Sequence, residues 1–121
     1  MPSVSRETGH AAATISAGAS LSNAINLGQR VIVALQLPSG WDAAALTFQG
    51  SYDGVTFGDI YDDGGTEVTI ASGTIVVNRT IVNAGILEKL AGVLFLKVRS
   101  GTAGVPVNQT ADRIIRVMQK A

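Results

Sequence analysis

Short runs in which apolar and polar residues alternate cover most of this 121-residue chain. The runs are rich in Thr, Val and Ile and are separated by Gly, Asn, Asp and Ser, a spacing typical of all-β sandwiches and barrels. The pattern predicts strands over residues 12–16, 21–27, 30–37, 44–52, 55–61, 66–71, 74–82, 93–99 and 112–119. We therefore expect an all-β fold, an antiparallel β-sandwich.

Two segments show the alternation most clearly, "RVIVALQL" at residues 30–37 and "RIIRVMQK" at residues 113–120. Side chains two positions apart on a strand share a face of the sheet. The first segment predicts a strongly apolar face made of Val31, Val33, Leu35 and Leu37. The second predicts one face with Ile115, Val117 and Gln119 and an opposite face with Ile114, Arg116 and Met118.

Three segments depart from the strand pattern. "NAGILEKLAG", residues 83–92, has the apolar spacing of one short helix, with Asn83 to cap it and Gly92 to end it. Residues 1–11 are polar and predict an extended N-terminal arm ahead of a single domain over residues 12–121. "SGTAGVPVNQT", residues 100–110, predicts a long loop, and long loops on rigid β scaffolds often carry contacts.

Composition narrows the possible partners. Hydrophobic residues make up 46% of the chain and charged residues 15%, which predicts covered sheet faces or a surface buried in an assembly. The nine basic and nine acidic residues cancel, whereas a nucleic-acid binder normally carries a basic excess. No run approaches the roughly 18 apolar residues of a membrane helix, and the N-terminus lacks the apolar core of a signal peptide. We therefore expect neither a nucleic acid nor a membrane as partner.

The charged residues are nevertheless unevenly placed. Five of the nine acidic residues lie between Asp53 and Glu67. Six of the nine basic residues lie in the last third of the chain: Lys89, Lys97, Arg99, Arg113, Arg116 and Lys120. This segregation predicts acidic and basic surfaces that meet between copies of the protein. The alternative is that both are ordinary solvated faces.

The acidic stretch "FQGSYDGVTFGDIYDDGGTEV", residues 48–68, is the candidate chemical site. Its carboxylate spacing does not match an EF-hand loop, although a looser calcium site built from loop carboxylates stays open. Asp53-Gly54 is a strong signal for a two-residue hairpin turn with positive φ at both residues. "DDGG", residues 62–65, predicts the next tight turn. We favour the structural interpretation, in which these carboxylates keep turns and strand edges soluble.

Catalytic readings find little support in the sequence. The single histidine, His10, lies in the predicted arm, which does not hold it as rigidly as a catalytic triad requires. The glycine-rich segments lack the lysine of a phosphate-binding loop, and the paired carboxylates of a glycosidase need a deep cleft. The chain has no cysteine, which excludes disulfides and thiolate metal sites. We therefore expect a protein that is not an enzyme and has no cofactor.

Two long segments resemble a family of small proteins encoded among the virion genes of tailed bacteriophages. They are "LPSGWDAAALTFQGSYDGVTFGDIYDDGGTEVTI", residues 37–70, and "LAGVLFLKVRSGTAGVPVNQTADRIIRV", residues 90–117, about half of the chain. The shared pattern is a Pro-x-x-Trp turn, a "TFxxSxDGxTF" hairpin, a "DxxGTEV" turn and a "FLKVRSGT" strand followed by "PVxQ". The first twelve residues fall outside this pattern.

The resemblance implies a non-enzymatic virion component, a β-sandwich or jelly roll that decorates or cements the capsid shell. Its expected partner is the major capsid protein or another virion protein, and its expected location is the capsid surface after assembly in the host cytoplasm. We also expect a homo-oligomer. A trimer is expected from the three-fold positions that shells present, not from any residue of this chain.

Two alternatives stay open. One is a tail, fibre-base or head-spike-base component of the virion. The other is a carbohydrate-binding β-sandwich module that stacks sugars on Trp41, Tyr52, Phe57 and Tyr61. The candidate interaction residues are Arg6, His10, Trp41, Tyr52, Asp53, Asp62, Asp63, Val105 and Asn108.

Overall fold

The structure, a computed structural model, describes residues 8–28, 30–73, 78–82, 89–90 and 92–120. These residues form eight strands: β1 (Thr8–Ile15), β2 (Ile25–Asn26), β3 (Val31–Gln36), β4 (Leu46–Ser51), β5 (Gly58–Asp59), β6 (Thr80–Ile81), β7 (Phe95–Ser100) and β8 (Arg113–Lys120). No helix occurs in this part of the chain, nor any helix long and apolar enough to cross a membrane.

The strands form two four-stranded antiparallel sheets. Sheet A has the order β1-β8-β3-β6, and sheet B has the order β2-β7-β4-β5. Both sheets contribute to one hydrophobic core, which includes Ile15, Leu35 and Ile115 from sheet A and Phe48, Leu96 and Val98 from sheet B. The all-β prediction is confirmed, and the two sheets around one core form a sandwich-like arrangement.

Strand β8 and strand β3 differ in how well their alternation predicted the buried face. In β8 the prediction is confirmed, because Ile115, Val117 and Gln119 are buried. In β3 the pairing with β8 is irregular between Ile32 and Ala34, which is a β-bulge. A bulge adds one residue and so reverses the side-chain alternation beyond it. As a result Ile32 and Leu35 both face the core, and Val33, predicted to be inside, is 38% exposed.

The predicted N-terminal arm, residues 1–11, includes the first residues of a strand. Residues 1–7 lie outside the described part, but residues 8–11 belong to β1, which pairs with β8 at every position from Thr8 to Ile15. None of these residues is a large apolar one, so they carry no hydrophobic periodicity, and their pairing with the long strand β8 makes them a strand. The arm boundary at residue 11 is therefore wrong.

The predicted helix at residues 83–92 is not confirmed. Most of it lies outside the described residues, while Lys89, Leu90 and Gly92 lie in turns. Leu90 is fully buried in the core. Four predicted strands are also shorter than predicted. Residues 21–27 and 55–61 contain only the two-residue strands β2 and β5, and residues 66–71 contribute only isolated bridges, of Glu67 with Tyr61 and of Ile70 with Leu46. In the segment 74–82, the described strand is the two-residue β6.

Candidate functional site

The acidic segment folds back over a buried arginine of sheet B. Arg99 lies on the outer side of β7 and is only 7% exposed. Its guanidinium forms ion pairs with Asp59 of β5 and, at 3.2 Å, with Glu67. The Arg99 Nη1 also lies 3.4 Å from Thr47 Oγ1 on the neighbouring strand β4. A buried guanidinium needs several acceptors to offset its desolvation, and this one receives them from three separate segments.

Asp59 reaches Arg99 from an edge strand. It pairs in register with Gln49 of β4, whose Nε2 donates to Asp59 Oδ1 at 3.1 Å. The hydrogen bond from the Arg99 side chain is the largest influence on this carboxyl and lowers the pKa of Asp59 below its ordinary value of 3.8. The ionised form of Asp59 is therefore part of the folded structure.

Glu67 connects the arginine to the loop at residues 100–110. Both of its carboxylate oxygens accept the Ala103 backbone N–H, at 3.1 and 3.2 Å. Thr47 makes a second connection, because its hydroxyl donates to the Gly101 carbonyl at 2.7 Å. The long loop is thus fastened to the outer face of sheet B through the same polar cluster, here called the Arg99 cluster: Thr47, Asp59, Glu67 and Arg99.

Asp62 closes the turn that carries Glu67 into place. Its Oδ1 accepts the backbone N–H groups of Gly64 and Thr66 at 2.9 and 3.0 Å. The Thr66 bond is the largest of the influences that lower the pKa of Asp62, ahead of the Gly64 bond and Lys89. Lys89 lies 3.4 Å from its other oxygen. The predicted turn at "DDGG" is confirmed, and Asp62 has a structural role in it.

The predicted two-residue hairpin at Asp53-Gly54 is wrong. Gly50 of β4 pairs with Gly58 of β5, and β4 ends at Ser51, so the connection is a longer loop over residues 52–57. Of the two residues Asp53 and Gly54, only Gly54 has a positive φ, at 77°. Asp53 instead accepts the backbone N–H groups of Val55 and Thr56 through Oδ1, both at 2.9 Å. An aspartate that bonds the backbone two and three residues ahead builds an Asx-type loop rather than a tight turn.

Acidic and basic residues that are far apart in the sequence form salt bridges with each other within one chain. Three salt bridges join the two sets: Asp59 with Arg99, Glu67 with Arg99, and Asp62 with Lys89. The sequence suggested contacts between copies or solvated faces, and for these residues neither describes the structure. No group of three or more metal-binding side chains is present in the described ranges.

The loop at residues 100–110 is held at both ends. Gln109, near the end of this loop, is 1% exposed and connects the start of the loop to the turn after β3. Its Oε1 accepts the Asp42 N–H at 2.9 Å, while its Nε2 donates to Ser100 Oγ at 2.8 Å. Asp42 in turn accepts the Thr110 N–H at 2.6 Å. The anchored loop presents Val105, 70% exposed, at its tip.

The nine predicted interaction residues do not form one site. Tyr52 and Asp53 follow the end of β4 at which Ser51 pairs with Phe95, whereas Val105 and Asn108 follow the opposite end of β7. Asp62 and the exposed Asp63 lie in the turn after β5. Arg6 lies outside the described residues.

Trp41 and His10 have opposite surroundings. Trp41 is buried in the core, where its Nε1 lies 3.4 Å from the Ala44 carbonyl. It therefore cannot join the exposed Tyr52 and Tyr61 in a sugar-stacking platform. Phe57, the fourth aromatic of that platform, lies beneath the Lys97 ammonium at 4.5 Å. His10 is exposed on the outer face of sheet A.

Two shallow grooves lie near predicted interaction residues, one beside His10 and one beside Tyr52. One, of about 320 Å³, is lined by His10, Gln36, Arg116 and Met118 on the outer face of sheet A. The other, of about 430 Å³, lies at the end of sheet B and is lined by Gly50, Ser51, Tyr52, Thr56, Gly58, Gly92, Val93 and Leu94. The alternation of "RIIRVMQK" placed Arg116 and Met118 together on the outer face, which was the available signal for the first groove. No local pattern signalled the second.

Comparisons with protein-family models, with curated protein sequences and with solved structures find no match. The functional argument therefore depends on the residues and their geometry.

Proposed function

We propose that the fold is a jelly roll. The support is the nested pairing of strands: β1 pairs with β8, β2 with β7, β3 with β6, and β4 with β5. Successive pairs alternate between sheets A and B, as when one long hairpin is rolled into a sandwich. Eight strands in two sheets with this order are typical of jelly rolls, an architecture found in viral capsid proteins and lectins.

We propose that the protein is a non-enzymatic structural component of a tailed-bacteriophage virion that decorates or cements the capsid shell. The resemblance of residues 37–70 and 90–117 to small virion proteins motivates this role. A fold alone does not determine function, so the argument needs the distribution of polar and apolar side chains on the surface.

One observation carries the proposal: four of the five carboxylates of the acidic stretch stabilise the scaffold, while large apolar side chains are exposed at loop tips. Asp59 and Glu67 pair with Arg99, and Asp53 bonds its own loop. By contrast, Val55 is 82% exposed and Tyr52 is 77% exposed at one end of sheet B. Exposed apolar residues on rigid loops favour contacts with another protein over chemistry at a site.

The loop at residues 100–110 is the best-defined contact surface for such a role. Gln109 and the Arg99 cluster fix it, so presenting Val105 to a partner costs little conformational entropy. We propose the major capsid protein, or another virion protein, as that partner, with the protein itself present as a homo-oligomer on the capsid surface.

Binding to purified capsids that lack the protein tests this role. We expect Val105→Glu to abolish co-sedimentation with capsids, because it places a charge in a desolvated contact. The matched control is Val82→Glu, at an equally exposed valine at the end of β6, which should bind as the wild type does. Equal binding by both variants would contradict the role of the loop.

Removing the arm is a second test. The deletion should cover residues 1–7 and leave β1 intact, because residues 8–11 pair with β8. We expect a folded protein that no longer binds capsids. Mass spectrometry of separated heads and tails then locates the protein in the particle, and its presence in tails would favour the tail or fibre-base alternative.

A further inference from the structure

Strand β1 is an edge strand unlike the other three edges of the two sheets. The edges formed by β2, β5 and β6 are each two residues long, whereas β1 has eight residues. An edge strand exposes unpaired N–H and C=O groups, and proteins protect such edges by shortness, charge, proline, bulges or a covering segment. The short edges use the first of these devices, and β1 does not.

A covering segment protects only the C-terminal half of β1. Asn23 accepts the Thr14 N–H through Oδ1 at 2.7 Å and donates its own N–H to the Thr14 carbonyl at 3.3 Å. Its Nδ2 also lies 3.4 Å from the Ala12 carbonyl. These contacts show that the even-numbered residues of β1 direct their backbone groups away from β8, since such groups alternate along a strand.

The N-terminal half of this edge has no such cover in the described structure. By the same alternation, His10 directs both its N–H and its C=O outward, and no described residue hydrogen-bonds to either group. The stretch from Thr8 to Ala12 contains no proline, lysine or carboxylate. This stretch can therefore pair with another extended strand.

We propose that this stretch pairs antiparallel with the same stretch of a second copy, about a two-fold axis beside His10. In that register His10 faces the partner's His10, and Thr8 faces the partner's Ala12 on either side. Each outward-facing pair exchanges two hydrogen bonds, about six in all, and the two that end on the Ala12 carbonyls share those oxygens with Asn23 Nδ2. The two copies of sheet A then join into one continuous eight-stranded sheet.

Two features of the chain favour a second copy as the occupant. In the register about His10, the partner's Thr8 pairs with Ala12, the last position before the part of the edge that Asn23 covers. The facing residues Gly9 and Ala11 are small and uncharged, so the two strands bring no like charges together. The result is a two-fold contact, in place of the three-fold assembly expected from shell geometry, and it does not depend on the proposed virion role.

Sedimentation of the full chain over a concentration series tests the pairing. The contact is small, so we expect dimers to form between about 10 µM and about 1 mM. His10→Pro removes the outward N–H and obstructs the edge, yet it leaves the ladder with β8 intact because that N–H does not pair with β8. His10→Lys places two lysines opposite each other across the contact, where their like charges repel. Both variants should remain folded monomers.

The matched control is Ile114→Lys, which adds the same charge to the outer face of sheet A on the neighbouring strand β8, where Ile114 is 40% exposed. It should dimerise as the wild type does. Amide hydrogen exchange gives a direct readout: the His10 amide should be protected only at high concentration. The Ala11 amide, which belongs to the ladder with Val117, should be protected throughout.

Three outcomes would overturn the proposal. They are a wild-type protein that stays monomeric across the series, dimers that persist in both His10 variants, and exchange at His10 that does not vary with concentration.

Discussion

The outer faces of the two sheets use their polar residues differently. On sheet B, Arg99 is buried beneath Asp59, Glu67 and the loop at residues 100–110. On sheet A, Arg116 occupies an equivalent outward position on a central strand, but it is exposed and lines an open groove with His10. Within the described residues its guanidinium makes no hydrogen bond or ion pair. The arginine of sheet B thus stabilises the fold, whereas the arginine of sheet A is free to contact a partner.

The acidic stretch at residues 48–68 suggested a ligand or metal site, but most of its carboxylates are already engaged in contacts within the fold. Carboxylates that are paired with a buried cation or bonded to backbone N–H groups cannot bind a ligand without breaking those contacts. The surfaces proposed for partners are the exposed apolar residues Tyr52 and Val55, the valine at the tip of the 100–110 loop and the uncovered edge of β1, none of which is a charged group.

Replacing each arginine by methionine is the strongest test of this comparison. Arg99→Met leaves Asp59 and Glu67 without their cation, and we expect it to lower the free energy of unfolding by about 3 kcal/mol, the lower end for breaking a buried ion pair because Asp59 is partly exposed. Arg116→Met should change it by less than about 0.5 kcal/mol. Urea denaturation of both variants measures the difference. Equal losses would mean that the two faces do not differ as described.

Gly101 offers the next largest effect, because it allows the loop to turn over sheet B. Its φ is 91°, and a Cβ atom there would lie 2.6 Å from the Val107 backbone nitrogen. Gly101→Ala should therefore destabilise the protein by about 2 kcal/mol and expose Glu67. Gly104→Ala, in the same loop, meets no atom within 4 Å and serves as the control. Thermal or urea unfolding that ranks Gly104→Ala as the more damaging change would contradict this role for Gly101.

The strands, but not the Arg99 cluster, were within reach of sequence reasoning. Strands β3, β4, β7 and β8 were predicted to within two residues, because one buried face imposes alternation on their side chains. The start of β1 was missed because Gly9 and Ala11 carry no such signal. The bulge at Val33 depends on pairing with β8, a strand far away in the chain.

The pairing at Arg99 could not be predicted because it is non-local. Glu67 and Asp59 lie 32 and 40 residues before Arg99 in the chain. A pattern of charges along the sequence shows that both signs are present, but only the register of β4, β5 and β7 brings them together. The loop at Asp53 was misread for a local reason, since its acceptor oxygen competes with the backbone geometry that Asp-Gly usually adopts.

The pKa of Asp59 should report directly on the Arg99 cluster. Because its folded pKa is lowered, chiefly by the hydrogen bond from Arg99, the ionised carboxylate stabilises the fold above pH 3.8. That contribution is lost as the pH falls from 3.8 through the lower folded value. In Arg99→Met we expect the pKa of Asp59 to rise towards 3.8, as measured by carboxyl carbon NMR titration.

Asp53 is the internal control for that titration. Its lowered pKa is caused first by the Thr56 backbone N–H and then by the Val55 N–H, neither of which involves Arg99. It should therefore titrate identically in the wild type and in Arg99→Met. A rise at both aspartates would indicate a general loosening of the fold instead of the loss of one partner.

The smallest expected effect concerns Lys97, which lies on the outer face of sheet B with its ammonium 4.5 Å from the centre of the Phe57 ring. A cation over an aromatic face at a partly exposed position contributes about 0.5 kcal/mol. A double-mutant cycle of Lys97→Met with Phe57→Leu, followed by urea denaturation, should give a coupling energy of that size. The corresponding control on sheet A is Lys120→Met, which should leave stability unchanged. A coupling of zero would show that Phe57 only packs against the lysine stem, and that the polar residues of sheet B are fully engaged only around Arg99.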